Sequence, residues 1–426
     1  MKKSNVYMLM IGCAVLIAVI VLSDFARARL APASSSEGES VTEEERESVP
    51  TEVPATENAE SGRVRFFIGG DNLIHENVLN EANRLAGGSG SRSGYGSGFS
   101  FQPLYGDLAD TIRTADLAVC NQASLVGGND APGALAGYPL FNSPSSLAED
   151  LLALGFDAVN IGNNHLLDLG DHGLKQSLSV WKEKDVILLG GYESADEMRA
   201  VANKIHRVNG IKIAMLSYTA TTNGLKSKEN APIPYYGDGG GGVSQDVLDQ
   251  IGQCRRNADL VLVFVNWGNT ESFEVGEEQK EAARRFAEAG ADVILGTGPK
   301  VIQKIERILS ADQERETLCV YSLGNFMGTM QYLDNLFGGA LLFEAKKTEE
   351  GCRIENVLFQ PLVIHYDERI SSLGVYTLQN YPESLFSRHG SNLLYGKGRY
   401  SRYFEILQSL IPREFLPVSL RGSSFS

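Results

Sequence analysis

Residues 155–173, GFDAVNIGNNHLLDLGDHG, gather more chemically capable side chains than any other stretch of the chain. An apolar strand over 158–161 runs into a turn carrying Asn163, Asn164, His165 and Asp168, and α/β folds present polar groups in this way at the carboxyl ends of strands. Amide, imidazole and carboxylate together are the donors of a divalent-metal hydrolase. The same asparagines also satisfy turn backbone through side-chain bonds. His165 is expected in a pocket because it follows a buried strand, whereas Asp168 and His172 read as loop and helix-start residues. Asp71 and His75, four residues apart, share one face if a helix begins at Asp71; the bland readings are a helix cap and a surface histidine. Asn121, Asn266, Trp267 and Lys300 also sit in or just after apolar runs. Asp71, His165, Asn266 and Lys300 follow different strands, so they are expected at one rim, with Lys300 offering an ammonium to a carboxylate or phosphate.

These groups require a scaffold of alternating strands and helices. Strands are expected over 64–68, 116–120, 158–161, 187–189, 211–218, 260–265, 293–295 and 318–323. Helices are expected over 104–113, 144–154, 173–185, 244–257 and 277–289, with Ser145 and Ser146 capping the second of them. Polar loops after the strands argue for α/β layers with one site at the strand ends. No G-x-G-x-x-G opens a helix after the first strand, no G-x-x-x-x-G-K-[ST] occurs, and no G-x-S-x-G elbow exists, so nucleotide cradles and serine hydrolase chemistry are unsupported. The Gly-rich stretches 87–98 and 237–242 read as flexible insertions.

The 426 residues, 43% hydrophobic and 21% charged, are enough for a large core. Lys2 and Lys3 precede seventeen residues without a charge, 6–22, about 26 Å of helix at the usual rise. A single membrane span with the amino terminus inside is expected, followed by an extracytoplasmic domain. Cleavage after Ala26-Arg27-Ala28 and a lipobox at Gly12-Cys13 are the other outcomes. Residues 31–61 then carry nine Glu against the single base Arg46, a composition for a disordered, self-repelling tether. That segment accounts for about half of the net charge of −15; no basic stripe points to nucleic acid. Cys120, Cys254, Cys319 and Cys352 have no metal spacing and read as small buried hydrophobes.

Taken together, several segments resemble the CapA family, the poly-gamma-glutamate capsule proteins with a metallophosphatase-like fold. They are Gly70–His75 (GDNLIH), Asp116–Gln122 (DLAVCNQ), Tyr138–Pro144 (YPLFNSP), GFDAVNIGNNHLLDLG, Asn266-Trp267-Gly268, AGADVIL at 289–295, Gly296–Gln303 and YSLGNF at 321–326. The resemblance implies a four-layer α/β/β/α sandwich over 63–366; around it the expected divisions are 1–5 cytoplasmic, 6–22 the anchor, 23–62 the acidic linker and 367–426 a C-terminal helical extension. Family-like polar positions survive at Asp71, His75, Asn164 and His165. Ala123 and Thr270 stand where the family has glutamate, Asn266 where it has histidine, and Thr297, Gly298 and Lys300 where it has three histidines. Losing even an outer-shell partner costs about 10–100-fold in metal affinity or activity, so a standard two-metal centre is not expected.

The expected role is accessory and non-catalytic, in synthesis, export or retention of such a capsule, with no cofactor. Its partners would be the membrane, polymer-synthase subunits and an anionic polymer, with no nucleic acid. Two alternatives stay open. One is a hydrolase of phosphoester or amide bonds holding a single Mn, Fe or Zn on Asp71, His75, Asn164 and His165. The other is an anion- or polymer-binding module whose cleft is lined by Asn121, Asn164, His165, Asn266, Trp267 and Lys300.

Overall fold

Alternation along the first strand, β1 (Arg63–Asn72), decides the layering: Val64, Phe66 and Ile68 face one core while Phe67 faces another. The computed structural model describes residues 61–422 apart from 93, 94, 96, 97, 129–133, 240, 241, 312, 350 and 397. The expected cytoplasmic end, the anchor over 6–22 and nearly all of the acidic linker lie outside the described residues. Among the described residues, no helix is long and apolar enough to cross a membrane.

The strands that follow are β2 (Leu117–Gln122), β3 (Leu125–Gly128), β4 (Ala136–Gly137), β5 (Phe141–Pro144), β6 (Ala158–Asn160), β7 (Ile187–Leu189), β8 (Ile205–Val208) and β9 (Ile211–Thr219). Then come β10 (Leu260–Asn266), β11 (Val293–Thr297), β12 (Ile305–Leu309), β13 (Glu316–Val320), β14 (Asn325–Met327), β15 (Phe337–Thr348), β16 (Gly351–His365) and β17 (Gly374–Thr377). The larger sheet runs β17-β16-β15-β1-β2-β6-β7, with β14 beside the end of β1; the smaller runs β12-β13-β11-β10-β9-β8. Strands β3, β5 and β4 form a third, small sheet.

The two main sheets pack face to face. Phe66, Ile68, Leu117 and Val119 of the larger share one core with Ile213, Met215, Leu262, Phe264 and Leu295 of the smaller. On its other face the larger sheet presents Phe67, Ala118 and Val159 to Val78, Leu151 and Trp181 of helices Glu76–Leu85, Ser146–Leu154 and Gly170–Lys182. The smaller sheet presents Leu216, Val261 and Ile294 to Ile251 and Phe286 of helices Gln245–Asn257 and Glu277–Ala289. The order is helix, sheet, sheet, helix. Each fully buried large apolar side chain stabilises this arrangement by about 1.5–3 kcal/mol.

Helix ends follow local chemistry. The Ser244 side chain accepts a bond from the Val247 N–H, and the helix after Gly276 ends at Gly290 with φ +118°. Neither Ser145 nor Ser146 caps as expected: Ser145 makes no side-chain cap bond, and the Ser146 hydroxyl is buried without a partner among the described residues. The expected helix at 104–113 is a 3-10 turn over Gln102–Leu108 followed by a short helix, Ala109–Arg113. Nor does a helix begin at Asp71. There β1 continues through Asn72 because β2 and β14 both extend its pairing, and the next helix starts at Glu76.

The segment 367–426 is not a wholly helical extension. Gly374–Thr377, with the strand-favouring Val375, Tyr376 and Thr377, pairs with β16 and closes that edge of the sheet. Helix Ser401–Leu410 buries Tyr403, Phe404, Ile406 and Leu407 in the core that also lies between the sheets. The four described cysteines are free, and Cys120, Cys254 and Cys319 are buried, as small hydrophobes are.

Candidate functional site

Register assembles the first part of the site. Asp71 of β1 pairs with Asn121 of β2, and Asn121 with Asn160 of β6, so three polar residues form one row across the carboxyl ends of parallel strands. Asn121 Nδ2 donates to Asp71 Oδ1 at 2.5 Å, and Asn160 Nδ2 donates to Asn121 Oδ1 at 2.7 Å. Ser217, on β9 of the smaller sheet, donates its hydroxyl to Asn160 Oδ1 at 2.5 Å. The row therefore bridges the two sheets. Gly70 makes it possible: a Cβ there would lie 2.3 Å from the Gly324 carbonyl oxygen, which accepts the Asp71 N–H at 2.9 Å.

On its other side Asp71, fully buried, meets Lys300. Lys300 Nζ donates to Asp71 Oδ2 at 2.9 Å, and the Gly298 N–H donates to the same oxygen at 3.2 Å. Lys300 is only 5% exposed and has φ +63°, a conformation that costs a non-glycine residue roughly 1–3 kcal/mol unless its surroundings hold it. They do so here, since its carbonyl accepts from Asn325 Nδ2 at 3.3 Å and Asn335 Nδ2 at 3.4 Å. The expectation of a rim ammonium offered to an anionic ligand is corrected accordingly: burial makes an internal carboxylate the partner that Lys300 needs.

The imidazoles form a neighbouring group around Phe141. Its ring centroid lies 5.2 Å from that of His75 and 4.7 Å from that of His165, both edge to face. His165 Nδ1 is 2.9 Å from Asp168 Oδ2, which also accepts the Phe141 N–H at 2.8 Å. Asp168 is thus the buried carboxylate that fixes the His165 ring and not a plain loop residue. His75 occupies the N-cap position of the helix Glu76–Leu85, with Nδ1 3.2 Å from the Leu73 carbonyl oxygen and 3.3 Å from the Thr329 N. Burial pushes the His75 imidazole down to about 4, opposed by the Leu73 carbonyl and reinforced by the charges of Lys300 and His165. It is neutral at physiological pH.

Other expected positions fall elsewhere. Asn164 turns toward the loop after β9, donating to Asn223 Oδ1 at 3.1 Å, and its own Oδ1 is buried without a partner among the described residues. Asn266 is buried and donates weakly to Thr297 Oγ1 at 3.4 Å. Trp267 lines no cleft: it is 2% exposed, its indole N–H donates to the Tyr321 carbonyl at 2.9 Å, and its ring stacks on Phe286 and Tyr321. Asn160, Ser217 and the Gly298 N–H were not legible as site groups, because each enters only through cross-strand or cross-sheet pairing. The spacing His165-x-x-Asp168 was the available signal for the fourth missed group.

The residues do not fit a two-metal centre. Asp71 already receives hydrogen-bond donors at both oxygens, one of them an ammonium. Ala123, at a position where the family resemblance calls for a carboxylate, instead packs with Leu73 and Phe141 in a small apolar cluster. Among the described residues no group of three or more His, Cys, Asp or Glu could hold a metal ion. Asp71, His75, Asn164 and His165, expected as ligands of a single ion, are divided between the Lys300 pair, the Phe141 cluster and the Asn223 contact. What remains chemically capable is His165, whose Nδ1 contact to Asp168 leaves Nε2 as the atom able to exchange a proton.

The model of the family described as bacterial capsule synthesis protein PGA_cap matches residues 65–330, more than half of the chain. The chain is 28% identical over 200 residues to the PGA biosynthesis protein CapA of Bacillus subtilis (strain 168), covering 46% of this chain and 49% of that protein. It is 32% identical over 179 residues to the capsule biosynthesis protein CapA of Bacillus anthracis, covering 41% of this chain and 40% of that protein. The matches thus span half or less of these relatives. Among solved structures, a hypothetical protein from Thermus thermophilus matches with a TM-score of 0.37 and 14% identity, over 69% of this chain and 99% of that one. The calcineurin-like phosphoesterase YfkN from Bacillus subtilis matches with a TM-score of 0.35 and 12% identity, over 82% and 96%. The chain belongs to the bacterial capsule synthesis protein family PGA_cap.

Proposed function

We propose that this chain is a membrane-anchored, extracytoplasmic accessory protein in the synthesis, export or retention of a poly-gamma-glutamate-type capsule, and that its strand-end site is not a metallohydrolase centre. Membership of the capsule synthesis family and the likeness to two CapA proteins support the biological setting. The charge-free run of 6–22 and the acidic tether support the anchor. The observation that carries the non-catalytic reading is the buried Lys300 ammonium on Asp71, a residue that the family resemblance would assign to a metal ion.

A hydrolase of phosphoester or amide bonds is the second reading, favoured by one observation. His165 is held by Asp168 through Nδ1, the arrangement that orients a general base. Gene replacement in the native host separates the two. Deletion should lower cell-associated polymer, and the His165→Gln chain, expressed at the normal level, should restore it. Failure of His165→Gln to restore polymer, with normal protein abundance, would transfer the case to the hydrolase; unchanged polymer after deletion would remove the capsule role.

A further inference from the structure

A buried carboxylate needs a positive partner, and this fold supplies one from its own chain. Asp71 is fully buried, Lys300 nearly so, and the ammonium approaches Oδ2 to 2.9 Å while Asn121 and the Gly298 N–H take the remaining sides. Two features show that the lysine is placed and not merely tolerated. Its backbone is held in the left-handed region by two buried asparagine amides, and its neighbour Gly298, with φ +109°, lets the loop pass so close to Trp267 that a Cβ would lie 2.7 Å from the Trp267 carbonyl oxygen. A flexible surface lysine that happened to reach a carboxylate would need neither.

We propose that Lys300 is a resident counter-cation: its ammonium holds the place a metal ion would take beside Asp71, so that the native chain ignores divalent ions while removal of the ammonium opens a cation site bounded by Asp71 and Asn121. The site in the variant would take a hard cation, held by the Asp71 carboxylate and completed by water in the space the lysine side chain leaves. The reciprocal change has the opposite sign. Without the Asp71 charge the buried ammonium loses its carboxylate partner, and a small carboxylate of formate size replaces what was lost. The inference rests on the same ion pair as the reading of the strand-end site as no metallohydrolase centre and deepens it, whereas the capsule role stands or falls separately, by the polymer measurement.

The test uses the purified full chain and two single variants in thermal melts, with Mn(II) and formate as the probes and electron paramagnetic resonance to count bound Mn(II). The wild-type midpoint should not respond to either probe. Lys300→Ala should melt roughly 5 °C or more below wild type, recover a substantial part of that loss with Mn(II), and bind one Mn(II). Asp71→Asn should also melt early and recover with formate but not with Mn(II). The Asp71→Asn arm decides alone if Lys300→Ala does not fold. Stoichiometric Mn(II) on the wild type would overturn the proposal, as would a Lys300→Ala chain as stable as wild type, or a destabilised variant unmoved by its probe.

Discussion

Asp71 and Lys300, 229 residues apart in the chain, meet at 2.9 Å in the interior, one at the end of β1 and the other just beyond β11. The contact joins the larger sheet to the smaller and completes the row that Ser217, Asn160 and Asn121 begin. Removing one partner of such a pair strands a buried charge at a cost of about 3–5 kcal/mol, whereas removing both leaves none. In denaturant unfolding, Asp71→Asn and Lys300→Met should each lose that much, and the double variant should lose less than the two together. Additive losses would mean that the two charges do not interact.

Gly70 is the position where backbone, not side chain, sets the site. Its missing Cβ leaves room for the Gly324 carbonyl, and the next residue is Asp71. Gly70→Ala should lower stability by about 1–3 kcal/mol, as overpacking does, and should move the Asp71 carboxylate off Asn121. An unfolding midpoint equal to wild type would refute the tight approach.

Acid should weaken the fold through buried neutral histidines. His389 is fully buried and His365 is 2% exposed, and burial pushes both imidazoles down to about 4, with the charge of His389 adding to the effect at His365. Folded values below the unfolded value near 6.5 mean that the native state resists protonation. Stability is then complete above about pH 6.5 and falls as the pH drops toward 4, by about 3 kcal/mol at most for each imidazole. His389→Gln should show a shallower loss across that window. A wild-type profile flat from pH 7 to 4.5 would contradict the assignment.

Trp267 should behave as a core residue and not as a ligand contact. Trp267→Ala should cost about 3–5 kcal/mol, while Trp267→Phe, which keeps the stacking on Phe286 but loses the N–H bond to Tyr321, should cost less. A Trp267→Ala chain with wild-type stability would return this side chain to the surface.

The domain without its first 62 residues should fold alone, since the described cores draw on residues from Val64 onward. Arg63–Ser426, expressed by itself, should be monodisperse and unfold cooperatively. Aggregation with no transition would show that the preceding segment is needed.

The sequence by itself carried the repeating strand and helix pattern, because alternation and 3.6-residue spacing are local properties; the helix Glu277–Ala289 and the strand starting at Leu260 lay where their periodicity put them. It also marked Asp71, Asn121, His165 and Lys300 as polar groups at strand ends. Their meaning was decided by tertiary structure. Whether Lys300 faces solvent or a buried carboxylate depends on β1 and the loop after β11 coming together across two sheets, and no local pattern encodes that distance. Trp267 was placed in the cleft by chain position, yet the smaller sheet turns it into the helix-facing core. The segment after 366 gave the least warning: a four-residue strand, Gly374–Thr377, is too short to announce itself, and it becomes a strand because the edge of β16 offers unpaired backbone groups for it to satisfy.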